Sequence, residues 1–107
     1  MTTFDKREDA FEKHFAHDEE LKFKATARRN KRLGLWAAEK LGLTGAEADS
    51  YALAVVMADF EEPGDHDVMR KIRKDFDAKG VEQSDHQIGR VMAELMAKAV
   101  ADINAGR

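Results

Sequence analysis

The fold of this 107-residue chain follows from residues 4–42, which read FDKREDAFEKHFAHDEELKFKATARRNKRLGLWAAEKLG. The first part of this stretch is mostly charged, and its large apolar residues, Phe4, Phe11 and Phe15, are spaced seven and four apart. That spacing puts three aromatic rings in one narrow stripe of a helix. The second part is rich in Leu, Ala and Trp and can pack against a core. The sequence therefore predicts a long helix of which only the second half is needed by its own domain.

Turn and capping signals divide the chain into four helices. Gly42 suits the left-handed position after a helix, and Pro63-Gly64 and Gly80 are further stop signals. A helix start is indicated by the capping-box patterns Thr44-x-x-Glu47 and Ser84-x-x-Gln87. The predicted helices are 5–41, 44–62, one that Asp65 caps and that ends before Gly80, and 84–104.

The apolar patterns of these helices predict an all-α fold, a four-helix bundle with a mobile N-terminal helical segment. The second helix is apolar nearly all round, which predicts a central position, whereas the third and fourth each carry one apolar stripe. The core needs residues only from about Leu21 onward. We therefore expect residues 1–18 to form a partner-binding segment that is disordered or frayed when free, and residues 19–107 to form the bundle.

Composition limits the classes to which the protein can belong. The length allows one domain, and no window of about 18 apolar residues suits a membrane span. We also expect no signal peptide, because charge interrupts the first apolar run from Asp5 onward. The chain has no cysteine, so disulfides, thiolate nucleophiles and thiolate metal sites are excluded. These features are typical of a soluble cytoplasmic protein.

Charge is unevenly distributed along the first helix. Residues 1–20 hold seven acids and three bases, whereas residues 21–32 hold six bases and no acid. Within this basic block the candidate contact residues are Lys24, Arg28, Arg29 and Arg32, which could face an acidic protein surface or a phosphate; a merely solvated basic face is the alternative. Nucleic acid is not an expected partner, because the sequence pI is about 5.8.

Two interpretations of the stripe formed by Phe4, Phe11 and Phe15 are open. The rings could fold back on the bundle, or they could lie in the groove of another protein, as amphipathic partner-binding helices do. His14 and His17 lie one helical turn apart but lack the further ligands that a zinc site needs, so no metal site is expected. There is no Gly-rich phosphate loop, nucleophile–base pair or paired-carboxylate cleft, so we do not expect an enzyme.

Several segments of the chain resemble a known family. The segments are Phe15-Ala-His-Asp-Glu-Glu-Leu-Lys-Phe23, Ala27-Arg-Arg-Asn-Lys31, Leu33-Gly-Leu-Trp-Ala-Ala38 and the turn Pro63-Gly64-Asp65. Together they resemble the zeta subunit of alphaproteobacterial ATP synthases, over essentially the whole chain. The resemblance implies a small helical inhibitor whose N-terminal segment enters a catalytic interface of the synthase head and blocks ATP hydrolysis.

The resemblance also implies which residues act. The partner-binding residues would be the three Phe anchors and the charged residues around them: Phe4, Asp5, Arg7, Glu8, Phe11, Glu12, Lys13 and Phe15. The partners would be the catalytic and rotor subunits of the head, with further contacts through Lys24, Arg28, Arg29 and Arg32. We expect a chain that is monomeric when free, needs no cofactor and is peripheral to the membrane through the synthase, without inserting into it. The alternative function is a nucleotide-sensing bundle that binds ATP or ADP weakly through the basic block.

Overall fold

The computed structural model describes the backbone of residues 3–59 and 66–107, and the side chains of residues 19–59 and 66–107. The described residues form four helices and no strand. The helices are α1 (Thr3–Lys40), α2 (Gly45–Ala58), α3 (His66–Lys79) and α4 (Asp85–Asn104). The all-α four-helix prediction is confirmed.

The ends of α1 and α3 and the start of α4 follow the local signals in the sequence. Gly42 has a φ of +79°, and the amides of Gly42 and Leu43 donate to the carbonyls of Glu39 (3.1 Å) and Ala38 (2.9 Å), which closes the last turn of α1. Gly80 ends α3 with a φ of +70°. The predicted capping box of α4 is confirmed: the Gln87 amide lies 3.1 Å from Ser84 Oγ, and the Ser84 amide lies 2.8 Å from Gln87 Oε1.

The predicted end of α2 is wrong, and the capping box predicted at its start does not form. Thr44 is the N-cap, but its side chain makes no capping hydrogen bond. Gly45 follows at a φ of +55°. The residue after the N-cap therefore lacks the helical geometry that a capping box requires. The helix ends at Ala58 instead of near Glu62. The predicted stop at Pro63-Gly64 and the Asp65 cap lie outside the described residues.

One apolar core holds the helices together. Its largest fully buried apolar side chains come from all four helices: Leu33, Val55, Val68, Ile72, Phe76 and Ile88. Trp36 packs against this core, and its ring meets that of Phe76 edge-on, with 5.8 Å between the ring centroids. The first buried apolar residue among the described side chains is Ala25. Between Glu19 and Lys24 no apolar side chain is fully buried, although Leu21 is partly buried.

The central element is α1, and the predicted central position of α2 is wrong. α1 makes the most extensive contacts, with α2 on one side and α4 on the other. α2 buries Ala52 and Val55 but leaves Leu53 and Met57 more than half exposed. In α1 itself, Leu35 is 36% exposed. An all-round apolar pattern thus did not mean burial on all sides.

The backbone of α1 is helical from Thr3 to Lys40, a span of about 57 Å at 1.5 Å per residue. The proposed boundary between residues 1–18 and 19–107 therefore falls within one helix. The mobility expected of residues 1–18 stays a prediction, because their side chains lie outside the described residues.

Candidate functional site

The predicted anchors belong to the first four turns of α1. Phe4, Phe11 and Phe15 lie within the helical span Thr3–Lys40, but their side chains are outside the described residues. The same holds for the charged residues around them, Asp5, Arg7, Glu8, Glu12 and Lys13. These assignments stay predictions, and the described part of the site begins at Glu19.

An exposed ion pair marks the passage from the N-terminal segment to the bundle. Lys24 Nζ lies 2.9 Å from Glu20 Oε1, one helical turn apart, and both side chains are more than half exposed. Glu20 precedes Lys24 by four residues, the spacing at which an acid and a base meet on one helix face. Such exposed pairs contribute only a few tenths of a kcal/mol to helix stability. Lys24 remains at the surface, where a partner could reach it.

Arg29 is inside the bundle. It is only 4% exposed, and its Nε and Nη2 atoms donate to Oδ1 of Asn30 at 3.1 and 2.9 Å. Its neighbours one turn away in either direction, Ala25 and Leu33, are fully buried. That register is the signal that could have placed it: position 29 shares its helix face with two apolar core residues. Arg29 is therefore packed in the interior of the bundle and presents almost no surface to an external phosphate.

Arg32 joins α1 to the end of α4. Its Nη2 lies 2.8 Å from Oδ2 of Asp102, and Arg107 approaches the same carboxylate at 3.8 Å. The hydrogen bond from Arg32 holds the pKa of Asp102 below its usual range, with help from the charges of Arg32, Arg107 and Lys98. A residue assigned to partner contact thus also fastens two helices of the bundle.

Lys24, Arg28, Arg29 and Arg32 consequently do not share one surface. Lys24 is exposed and Arg28 is half-buried at the groove between α1 and α2, whereas Arg29 is buried. These four residues do not form a single cradle around a phosphate. Weak binding of ATP or ADP stays a prediction.

The structure reveals an exposed apolar surface that sequence reasoning missed. We call it the α1–α2 face. Phe23 and Ala27 of α1 and Leu53 and Val56 of α2 line its grooves, and the exposed Met57 lies one turn after Leu53 on α2. Phe23, Leu53 and Met57 are 67%, 62% and 56% exposed. The all-round apolar pattern of α2 was the available signal, but it was interpreted as burial.

Two adjoining grooves run along this face. One has a volume of about 290 Å³ and is lined by Phe23, Thr26 and Asn30 of α1 and by Asp59 beyond α2. The other has a volume of about 590 Å³ and is lined by Arg28, Lys31, Asp49 and Leu53. Ala27 and Val56 border both grooves, so the two are neighbours. The rim carries both signs of charge, with Glu19, Asp49 and Asp59 opposed by Lys22, Arg28 and Lys31.

Tyr51 links α2 to α3 on another side of the bundle. Its hydroxyl donates to Oδ2 of Asp75 at 2.8 Å, and Lys71 Nζ lies 3.1 Å from the same oxygen. Burial, and secondarily the bond to Asp75, raise the pKa of Tyr51 well above its ordinary value. The Tyr51 hydroxyl is therefore held in its protonated, hydrogen-bonded form, in which it links α2 to α3.

Residues 19–59 and 66–107 hold neither a metal-binding group nor a membrane-spanning helix. In these ranges, no three His, Asp or Glu side chains come together as a metal-binding group would. His14 and His17 lie outside them. Across the described helices, none is both long enough and apolar enough to span a bilayer.

Comparison with known proteins relates this chain to a solved structure and to a protein family. A solved solution NMR structure is similar to this chain, with 47% sequence identity and a TM-score of 0.71, over 81% of this chain and 99% of the other. A comparison with curated proteins found no match. The family model for ATPase inhibitor subunit zeta matches residues 1–102, which include the whole of the first three helices and nearly all of α4. The chain therefore belongs to the ATPase inhibitor subunit zeta family.

Proposed function

We propose that this protein inhibits ATP hydrolysis by an ATP synthase by inserting the N-terminal part of α1 into a catalytic interface of the soluble head. Family membership supports the inhibitory role. The observation that carries the mechanism is the division of α1: the helix begins at Thr3, but the core formed by the described side chains begins at Ala25. About twenty residues of helix thus precede the first buried apolar side chain that the structure describes.

Those twenty residues have the composition of a helix that binds in a groove. Phe4, Phe11 and Phe15 fall in one stripe at helical spacing, and charged residues occupy most other positions. Each aromatic ring buried in a partner contributes on the order of 1.5–3 kcal/mol. The surrounding charges would then set the register of the helix in the groove.

Inhibition of this kind requires no chemistry from the inhibitor. A rotary enzyme passes through several conformations, and a ligand that binds one of them more tightly than the others shifts the population toward it. A wedge between catalytic and rotor subunits would stop turnover in that conformation. The bundle would remain outside, and the protein would be peripheral to the membrane through the synthase.

The test is ATP hydrolysis by the isolated head of the cognate synthase, with the full chain and with a chain lacking residues 1–17. We expect the full chain to inhibit and the shortened chain to lose inhibition. The melting temperatures of the two chains should be nearly equal, because the apolar pattern of the sequence places the core from about Leu21 onward. Equal inhibition by both chains would refute insertion of the N-terminal segment, and a large loss of thermal stability would refute the independence of the bundle.

A further inference from the structure

The α1–α2 face is unusual for the surface of a small helical protein. Of the described large apolar side chains, Phe23, Leu53 and Met57 are the most exposed, and all three belong to this face. Single exposed apolar residues are common, but contiguous apolar patches bordered by charge mark contact sites. The two grooves give the patch a concave shape that can receive a ridge or helix of another protein.

The position of the face along α1 indicates which protein covers it. Phe23 lies eight residues beyond Phe15, which corresponds to about 12 Å along a helix axis. At about 100° per residue, position 23 is also only about 80° around the helix from position 15, and positions 22 and 26 are within about 20° of it. Positions 22, 23 and 26 line the first groove. The register of α1 therefore leads from the Phe stripe directly into this groove.

We propose that the α1–α2 face is a second contact with the synthase, made with the outer surface of a catalytic subunit at the interface that receives the N-terminal segment. This inference rests on the proposed function. A large subunit that holds residues 4–15 of a continuous helix necessarily approaches residues one or two turns further along. The chemistry of the face calls for an apolar ridge with acidic and basic residues on its flanks.

Such a contact divides the work of inhibition. The N-terminal segment blocks the catalytic interface, and the α1–α2 face holds the bundle against the outside of the head. Two linked contacts bind more tightly than either alone, since the second forms within an already associated complex. The exposed apolar residues of α2, which the core does not use, acquire a function in this arrangement.

The first experiment measures binding of full-length variants to the immobilised head. Leu53→Ser with Met57→Ser removes two exposed apolar side chains one turn apart on α2. The matched control is Glu94→Ser with Lys98→Ser, an exposed pair with the same spacing on α4. We expect the α2 pair to raise the Kd roughly tenfold or more and the α4 pair to leave it unchanged, with equal melting curves.

A second experiment detects the contact directly. The chain has no cysteine, so a single Met57→Cys substitution carries a photoactivatable cross-linker at one defined point on the face. We expect it to cross-link to the head, whereas Lys98→Cys should not. Wild-type competitor should abolish the product.

The outcomes separate this inference from the proposed function. If the α2 pair binds as the wild type does while Phe11→Ala loses inhibition, the face is not a contact and insertion stands. If the α2 pair binds weakly while Phe11→Ala inhibits normally, the face is supported and the Phe11 anchor is refuted. If the wild type forms dimers that the α2 pair disrupts, with binding to the head unchanged, the face joins two copies of this chain and the inference is overturned.

Discussion

Gly34 of α1 and Ala52 of α2 meet backbone to backbone at the contact between their helices. A Cβ placed on Gly34 would lie 2.6 Å from the Cα of Ala52 and 3.2 Å from the Cβ atoms of Ala52 and Val55. Glycine costs about 1 kcal/mol relative to alanine inside a helix, so its presence here has a packing reason. The missing side chain of Gly34 thus allows the close contact between α1 and α2.

Gly34→Ala should therefore destabilise the protein, although alanine is the better helix former. The obstructing atom is backbone, so relief requires α1 and α2 to move apart. Overpacking of this kind costs about 1–3 kcal/mol. Urea unfolding followed by the fluorescence of Trp36, the single tryptophan, measures the change. A variant as stable as the wild type would show that the two helices are not in tight contact.

Gly89→Ala is the matched substitution and should have the opposite sign. Gly89 lies inside α4, and a Cβ there would meet nothing within 4 Å. The gain in helix propensity and the loss of unfolded-state freedom should stabilise the protein by about 0.5–1 kcal/mol. The same urea assay compares the two variants, and destabilisation by Gly89→Ala would contradict the open space seen at this site.

The titration of Tyr51 should be displaced to high pH. Tyr51 is the single tyrosine, so absorbance of the phenolate near 295 nm reports this residue alone. Burial and the bond to Asp75 raise its pKa, and phenolate absorbance should appear only well above the ordinary value of about 10. A group with a raised folded pKa stabilises the fold below its unfolded pKa, and that stabilisation is lost as the pH rises through the folded pKa.

Asp75→Asn identifies the causes of this displacement. Removing the carboxylate removes the secondary cause, so the titration should move part of the way back toward 10. Desolvation, the larger cause, should keep it above the ordinary value. An ordinary titration in the folded wild type would show that the hydroxyl is open to water.

The ion pair between Arg32 and Asp102 should make stability depend on acid pH. The pKa of Asp102 is lowered in the folded protein, so its contribution is complete above the unfolded carboxyl value of about 4 and is lost as the pH falls through the lowered pKa. Wild type should therefore be more stable than Asp102→Asn at pH 7, and the difference should shrink toward pH 2. Thermal melts across this range measure it, and a difference independent of pH would refute the linkage.

Local sequence signals predicted most of the helix ends, and long-range packing decided the rest. Gly42 and Gly80 and the Ser84–Gln87 box act through their own neighbours, so their patterns could be interpreted directly. The Thr44–Glu47 pattern did not form a capping box because Gly45 adopts a left-handed conformation, which the pattern does not indicate. The exposure of Leu53 and Met57 depends on which helix is central, and composition does not reveal that.

The sequence likewise predicted some features of the candidate site and not others. Periodicity predicted a Phe stripe and a basic block, but not that Arg29 would be buried or that Arg32 would pair with a residue 70 positions away. Charge counted along a sequence does not distinguish a solvent-facing arginine from one that faces the interior. The spacing of Arg29 from Ala25 and Leu33 contained that information.

Phe11→Ala should weaken inhibition without weakening the fold. Phe11 is the middle ring of the predicted stripe, and it precedes the part of α1 that contributes to the described core. Loss of one aromatic anchor at an interface costs about 1–3 kcal/mol, which raises the half-inhibitory concentration roughly 5- to 150-fold. ATP hydrolysis by the isolated head gives that value, and a thermal melt of the free protein gives the stability. Lys98→Ala, an exposed α4 variant, serves as the control and should match the wild type in the hydrolysis assay. Inhibition by Phe11→Ala at wild-type strength would remove this ring from the anchor, whereas a lower melting temperature would indicate that the ring packs on the bundle instead.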